Sequence, residues 1–178
     1  MMLPGFRRVS IAMLLLSVLA AVPAWAVSLT DGLAGAWTGT GAVATRYEGT
    51  PQNGRCKVEV KQSPDKAVLD IEGLCAVPSG RSEFALRAVL DSDSQVRAAV
   101  RANGLAETIQ YAGTVTPMRM ELVSRAPVTL HAAEFQSRFR IEVLADGQFW
   151  ILHWLQPGDT ASARQTLAIK FRRIPGQP

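Results

Sequence analysis

Catalytic and metal-binding side chains are scarce in this chain. Of its 178 residues only two are histidine, His131 and His153, and only two are cysteine, Cys56 and Cys75. A metal site needs three or four such ligands at matched spacing, and the two histidines are not spaced as partners. There is no Gly-x-Ser-x-Gly elbow, no His-Glu-x-x-His, no phosphate-cradling glycine loop and no dinucleotide fingerprint. The run Asp91-Ser92-Asp93-Ser94 opens like a calcium loop but lacks the downstream ligands, so it reads as a turn. His153 alone is a thin basis for haem ligation. The expectation is a non-enzymatic protein with no cofactor and no metal.

Strong charge of one sign is also missing. The net charge is +4, and 15 of the 19 basic residues are arginine. Two of these, Arg7 and Arg8, precede the apolar run Ile11–Val22, and Ala24-Trp25-Ala26 follows as a small-x-small cleavage site. That order predicts a signal peptide over residues 1–26. The apolar run is about 12 residues, against about 20 for a membrane-spanning helix. Cleavage leaves residues 27–178 as a single domain of charge +2, with its charges scattered. Such a surface gives no argument for nucleic acid, and no later run is apolar for long enough to span a bilayer as a helix. The arginine and alanine bias is that of a GC-rich bacterial genome, so the expected location is the periplasm or the exterior. General secretion and the twin-arginine route both fit the leader.

What is present is alternation. Apolar and polar residues exchange with period two along Trp37–Arg46, Cys56–Lys61, Leu69–Cys75, Phe84–Leu90, Val96–Arg101, Ile109–Val115, Met118–Leu122, Phe135–Val143 and Leu167–Arg172, and turn formers separate these runs. Asp146-Gly147 is a two-residue hairpin signal. Nine or ten short strands, each with one apolar and one charged face, predict an all-β antiparallel meander. It closes as a barrel or folds as a sandwich, and the sequential hairpins favour the barrel. Charges on the face opposite the core predict a barrel in water, because a membrane barrel turns its apolar face outward.

The cysteines test the register. With Asp65-Lys66 at the hairpin tip, paired positions sum to 131, which opposes Val60 to Ile71 and Cys56 to Cys75. Directly opposed Cβ atoms lie within disulfide reach. In an exported chain this pair reads as one disulfide. Closing a loop of about 20 residues contributes on the order of 3 kcal/mol.

Gly35-Ala36-Trp37 at the start of the first strand resembles the lipocalin signature. That resemblance implies that Trp37 closes one barrel end beneath a basic residue of the last strand, Arg172 or Arg173, and that Gly35 and Trp37 are structural. The same Gly-x-Trp followed by a cysteine-bridged hairpin also resembles small periplasmic barrel inhibitors of bacterial metalloproteases. There the N-terminal segment, here Val27-Ser28-Leu29-Thr30, would enter the protease cleft.

Three further features bear on binding. Gly39 and Gly41 share a face with Trp37, and they either let the strand pack closely or leave an interior cavity open. Tyr111, Met118 and Met120 line an adaptable apolar pocket or fill the core. Phe149–Leu155 is apolar on both parities, so either Ile151, His153 and Leu155 face inward or Trp150, Leu152 and Trp154 do. Ordinary burial under neighbouring segments competes with a ligand wall or a protein interface around Trp150 and Trp154. The leading expectation is a barrel that binds a small apolar or amphipathic ligand, and the alternative is an envelope protein-binding module such as a protease inhibitor.

Overall fold

The computed structural model describes residues 29–92, 94–158 and 162–176. The expected leader over residues 1–26, together with Val27, Ser28 and Asp93, lies outside the described residues. A 3-10 turn, Leu29–Gly32, leads into eleven strands: β1 Gly35–Val43, β2 Gln52–Gln62, β3 Val68–Val77, β4 Gly80–Leu90, β5 Gln95–Ala102, β6 Ile109–Thr116, β7 Arg119–Ser124, β8 Val128–Leu130, β9 Ala133–Val143, β10 Phe149–Pro157 and β11 Arg164–Arg173.

Every pairing is antiparallel, and β1 to β7 pair in sequence. β7 pairs with β9, β9 with β10, β10 with β11 and β11 with β1, so ten strands close on themselves. β8 stands outside this circuit and pairs only with β9. It is the strand that alternation did not predict. It is three residues long and follows Pro127, which donates no backbone hydrogen bond. Closure removes the exposed edges that a sandwich would leave.

The cysteine hairpin has the predicted register. Cys56 opposes Cys75 and Val60 opposes Ile71, and the disulfide is formed with a Cα–Cα separation of 4.1 Å. Inside the barrel, alternate residues of all ten strands merge into one core around Trp37, Tyr111, Met120, Ile141, Phe149 and Phe171. Outside, charged side chains form ladders such as Glu59–Lys61–Glu72 and Arg119–Glu142. The inner face is apolar, and the outer face is charged over most strands, with the outward residues of β10 as an apolar strip.

The glycines of β1 serve close packing. A Cβ on Gly41 would lie 1.9 Å from the Ala168 carbonyl oxygen, and one on Gly39 would lie 2.6 Å from an Ile169 methyl. β1 and β11 therefore approach closely because those side chains are absent, and the space beside them is filled. Gly41→Ala is expected to cost about 1–3 kcal/mol in urea unfolding, because the obstacle is backbone and cannot rotate aside.

One barrel end is sealed by aromatic rings. Trp37 packs edge-on against Phe149 at 4.8 Å between centroids, and Phe149 stacks on Phe171 at 4.9 Å. The buried Trp37 indole N–H donates to the Leu33 carbonyl at 2.8 Å. This holds the 3-10 turn over the opening, with Leu29 and Leu33 buried beneath it. The basic residue above the ring is Arg173, not Arg172. Its guanidinium lies 4.5 Å from the ring centroid and donates to the carbonyls of Ala34 and Gly32, each at 2.8 Å. Parity explains the difference: Trp37 opposes Arg173 directly, and Arg172 opposes Thr38 and points outward.

Candidate functional site

The opposite barrel end holds what the core otherwise lacks, a connected set of polar groups. The Tyr111 hydroxyl lies 2.7 Å from Ser137 Oγ, and Ser137 Oγ lies 2.8 Å from His153 Nε2. On the other side of the ring, His153 Nδ1 lies 2.6 Å from Thr166 Oγ1, which donates in turn to the His153 carbonyl at 3.4 Å. One assignment leaves no donor idle. Tyr111 donates to Ser137, Ser137 to Nε2, the Nδ1 proton goes to Thr166, and Thr166 donates to the carbonyl.

Local irregularities build this chain. β10 and β11 slip register between His153 and Trp154: His153 opposes Leu167, Trp154 opposes Gln165, and Thr166 is left over. A bulge of this kind re-aims a side chain, and here it turns a threonine from the polar parity toward the imidazole. The pairing of β7 with β9 ends at Val123 and Arg138, so at the last residue of β7 Ser124 Oγ accepts from the Ser137 backbone N–H at 3.1 Å and from Gln136 Nε2 at 2.8 Å. Phe139 packs on the imidazole at 4.3 Å and on Tyr111 at 5.5 Å. Above the network, Tyr47 packs on Phe135 at 4.9 Å, and Arg164 lies 5.9 Å over the Tyr47 ring while donating to the Gly49 carbonyl at 2.7 Å.

Burial sets the electrostatics. Desolvation pushes the His153 pKa down to about 4, so the ring is neutral across the physiological range. Burial pushes the Tyr111 phenol up to about 12, against a smaller opposing effect of its hydrogen bond to Ser137. Ser137 and His153 stand at nucleophile-to-base distance, but Ser137 is 1% exposed and the far partner of the ring is a hydroxyl rather than a carboxylate. The arrangement is a satisfied buried network. Ser137→Ala leaves Tyr111 and His153 without their shared partner and is expected to cost about 1–3 kcal/mol in urea unfolding.

The residues singled out from the sequence divide among three places. Tyr111 and Met120 are core residues, whereas Met118 is 48% exposed in the β6–β7 turn and does not join them. The reason is local: pairing of β6 with β7 ends at Thr116 and Arg119, so Pro117 and Met118 form the tip. Ile151 and Leu155 face inward with the His153 ring, which places Trp150, Leu152 and Trp154 on the outer surface, each half-buried. There Trp150 lies between Glu142 and Lys170, Leu152 between Arg140 and Ala168, and Trp154 between Arg138 and Gln165. The Arg140 guanidinium sits 5.4 Å over the Trp154 ring.

Ser124, Ser137 and Thr166 were not singled out. Ser137 left a trace, a polar residue between Phe135 and Phe139 on the inward parity of β9. Two concavities lie on the outer face: one of about 210 Å³ is lined by Asp70, Glu72, Arg87 and Arg101, and one of about 160 Å³ by Arg87, Arg97 and Arg125. No protein-family model matches the chain, and no curated protein matches it in sequence.

Proposed function

We propose that the chain is a non-enzymatic extracytoplasmic barrel that binds a protein partner through the outer face of β9, β10 and β11. One observation carries this reading: β10 is apolar on both faces, and it turns Trp150, Leu152 and Trp154 away from the core, which Phe149, Ile151 and Leu155 enter. Tryptophan and arginine are the residues that most often anchor protein interfaces, and here they alternate across three strands. The charge balance defines the partner. Glu121 and Glu142 are held by Arg140 and Arg119. Among the described residues Arg138, Lys170 and Arg172 have no carboxylate within ion-pair distance. The complementary surface is therefore acidic with an apolar centre. The disulfide fits an oxidising compartment.

A small apolar ligand inside the barrel, the leading expectation from the sequence, would share the interior with the buried Trp37, Met120 and Phe149. Neither concavity is lined by those residues. Native mass spectrometry of protein purified gently from its own envelope separates the two readings. A complex with a second protein, lost in Trp154→Ser, is the expected result. A small molecule bound one-to-one would move the site into the barrel.

A further inference from the structure

The outer face of β4–β6 carries a second feature, independent of the tryptophan strip. Arg87 of β4, Arg97 of β5 and Arg125, just past β7, border the concavity of about 160 Å³, and Ala99 and Gln110 line it between them. The hollow follows from the sequence. Ala99 is paired with Arg87 on one side and Gln110 on the other, so a methyl group sits between longer side chains. The Arg125 backbone N–H donates to the Gln110 carbonyl at 2.8 Å, which ties its residue to the rim.

The arginines are held in place without being used up. Asp91 takes Nε and Nη2 of Arg97, each at 2.6 Å, and Nη1 has no partner among the described residues. Asp70 takes only Nη1 of Arg87, at 3.3 Å. Arg125 has no ion pair among the described residues. Three guanidiniums thus face two carboxylates, and N–H donors remain on all three. The neighbouring concavity shares Arg87 and Ala99 and adds Arg101, beside Asp70, which pairs with Arg87, and Glu72, which pairs with Lys61, so the trough continues toward β3.

We propose that this hollow is an oxyanion site: it takes a phosphate, sulfate or carboxylate group between Arg87, Arg97 and Arg125, with the Gln110 amide as a further donor. Guanidinium donors match the geometry of such groups in pairs. The anion is either free or one group of an extended polyanion that runs on toward Arg101.

Titration of the full folded chain with inorganic phosphate at low ionic strength, followed by amide NMR shifts, is the test. Shifts are expected at Ala99, Gln110 and Arg125 in the millimolar range. Arg125→Gln should weaken binding about tenfold, as loss of a charge-assisted contact implies. Arg55→Gln, which removes an exposed cation on β2, should leave binding unchanged. A sulfated tetrasaccharide distinguishes the sources. If it binds more tightly than phosphate and Arg101→Gln removes the difference, the site reads a polymer; if the two bind alike, it reads a free anion. Absence of shifts, indifference to Arg125→Gln, or equal weakening by Arg55→Gln would overturn the proposal, the last by showing only diffuse attraction of the anion to surface cations.

Discussion

Replacing Trp37 with alanine is expected to destabilise the protein by about 3–5 kcal/mol, the range for deleting a buried aromatic side chain. Three losses combine. The ring is 1% exposed and packs on Phe149, so its removal opens a void that a closed barrel cannot collapse without shortening its circumference. The Leu33 carbonyl loses its buried donor, and Arg173 loses the ring beneath it. Leu29 and Leu33 then have no anchor over the barrel end. Trp37→Phe separates these effects, since it keeps most of the apolar bulk and removes the N–H; about 1–3 kcal/mol is expected there. Urea unfolding followed by circular dichroism measures both. A loss below about 1 kcal/mol for Trp37→Ala would mean that this end is not sealed by the ring. Losses of 3–5 kcal/mol are a large part of the stability of an ordinary domain.

Acid should weaken the fold through His153. In the folded chain burial holds this imidazole neutral down to about pH 4, whereas in the unfolded chain it takes up a proton near 6.5. Between those values the unfolded state binds more protons, so stability falls as pH falls. The contribution is complete above pH 6.5, declines through the window and is gone below 4. Its full size is about 3 kcal/mol, the free energy that separates a folded value of about 4 from an unfolded value of 6.5. Protonation also frustrates the hydrogen bonds. Nε2 becomes a donor to Ser137 Oγ, and one of the two hydroxyl protons, that of Ser137 or that of Tyr111, is then left without an acceptor. Urea unfolding at a series of pH values, with His153→Gln alongside, isolates the effect. Between pH 6.5 and 4 the wild type should lose stability and the variant should stay nearly flat. Asp65 and Asp91 do not confuse the window. Hydrogen bonds to Ser63 and Arg97 respectively hold both below the usual carboxylate value, so their contributions disappear at lower pH.

The strands, their register and the disulfide were legible because one rule governs them. A side-chain period of two fixes which residues face the core, and the turn at Asp65-Lys66 then determines that Cys56 meets Cys75. The rule fails where the period breaks. Thr166 reads as an outward residue beside Gln165, and only the slipped register between β10 and β11 turns it onto His153. Met118 keeps the parity of Met120 but falls in the turn, and the alternation does not reveal where a hairpin ends. Arg172 and Arg173 are adjacent, so the choice between them depends on how β11 meets β1, a contact that joins the two ends of the chain. β10 was undecidable alone because Trp150, Leu152 and Trp154 are as apolar as Phe149, Ile151 and Leu155. Closure of the barrel decided it. The polar network was hidden because it joins one residue from each of four strands, and only strand register brings those residues together; the hollow bordered by Arg87, Arg97 and Arg125 was hidden because it too exists only once the strands are paired.

The partner surface can be tested directly with a photo-crosslinking residue at Leu152, in the centre of the outward strip, introduced into protein expressed in its native envelope. Leu74 of β3 is the control, because it is also an apolar residue on the outer face, 37% exposed, and far from β10 in the strand order. A discrete protein adduct from position 152 and none from position 74 is the predicted result. No adduct from 152, or equal adducts from both, would contradict a partner site on β9–β11.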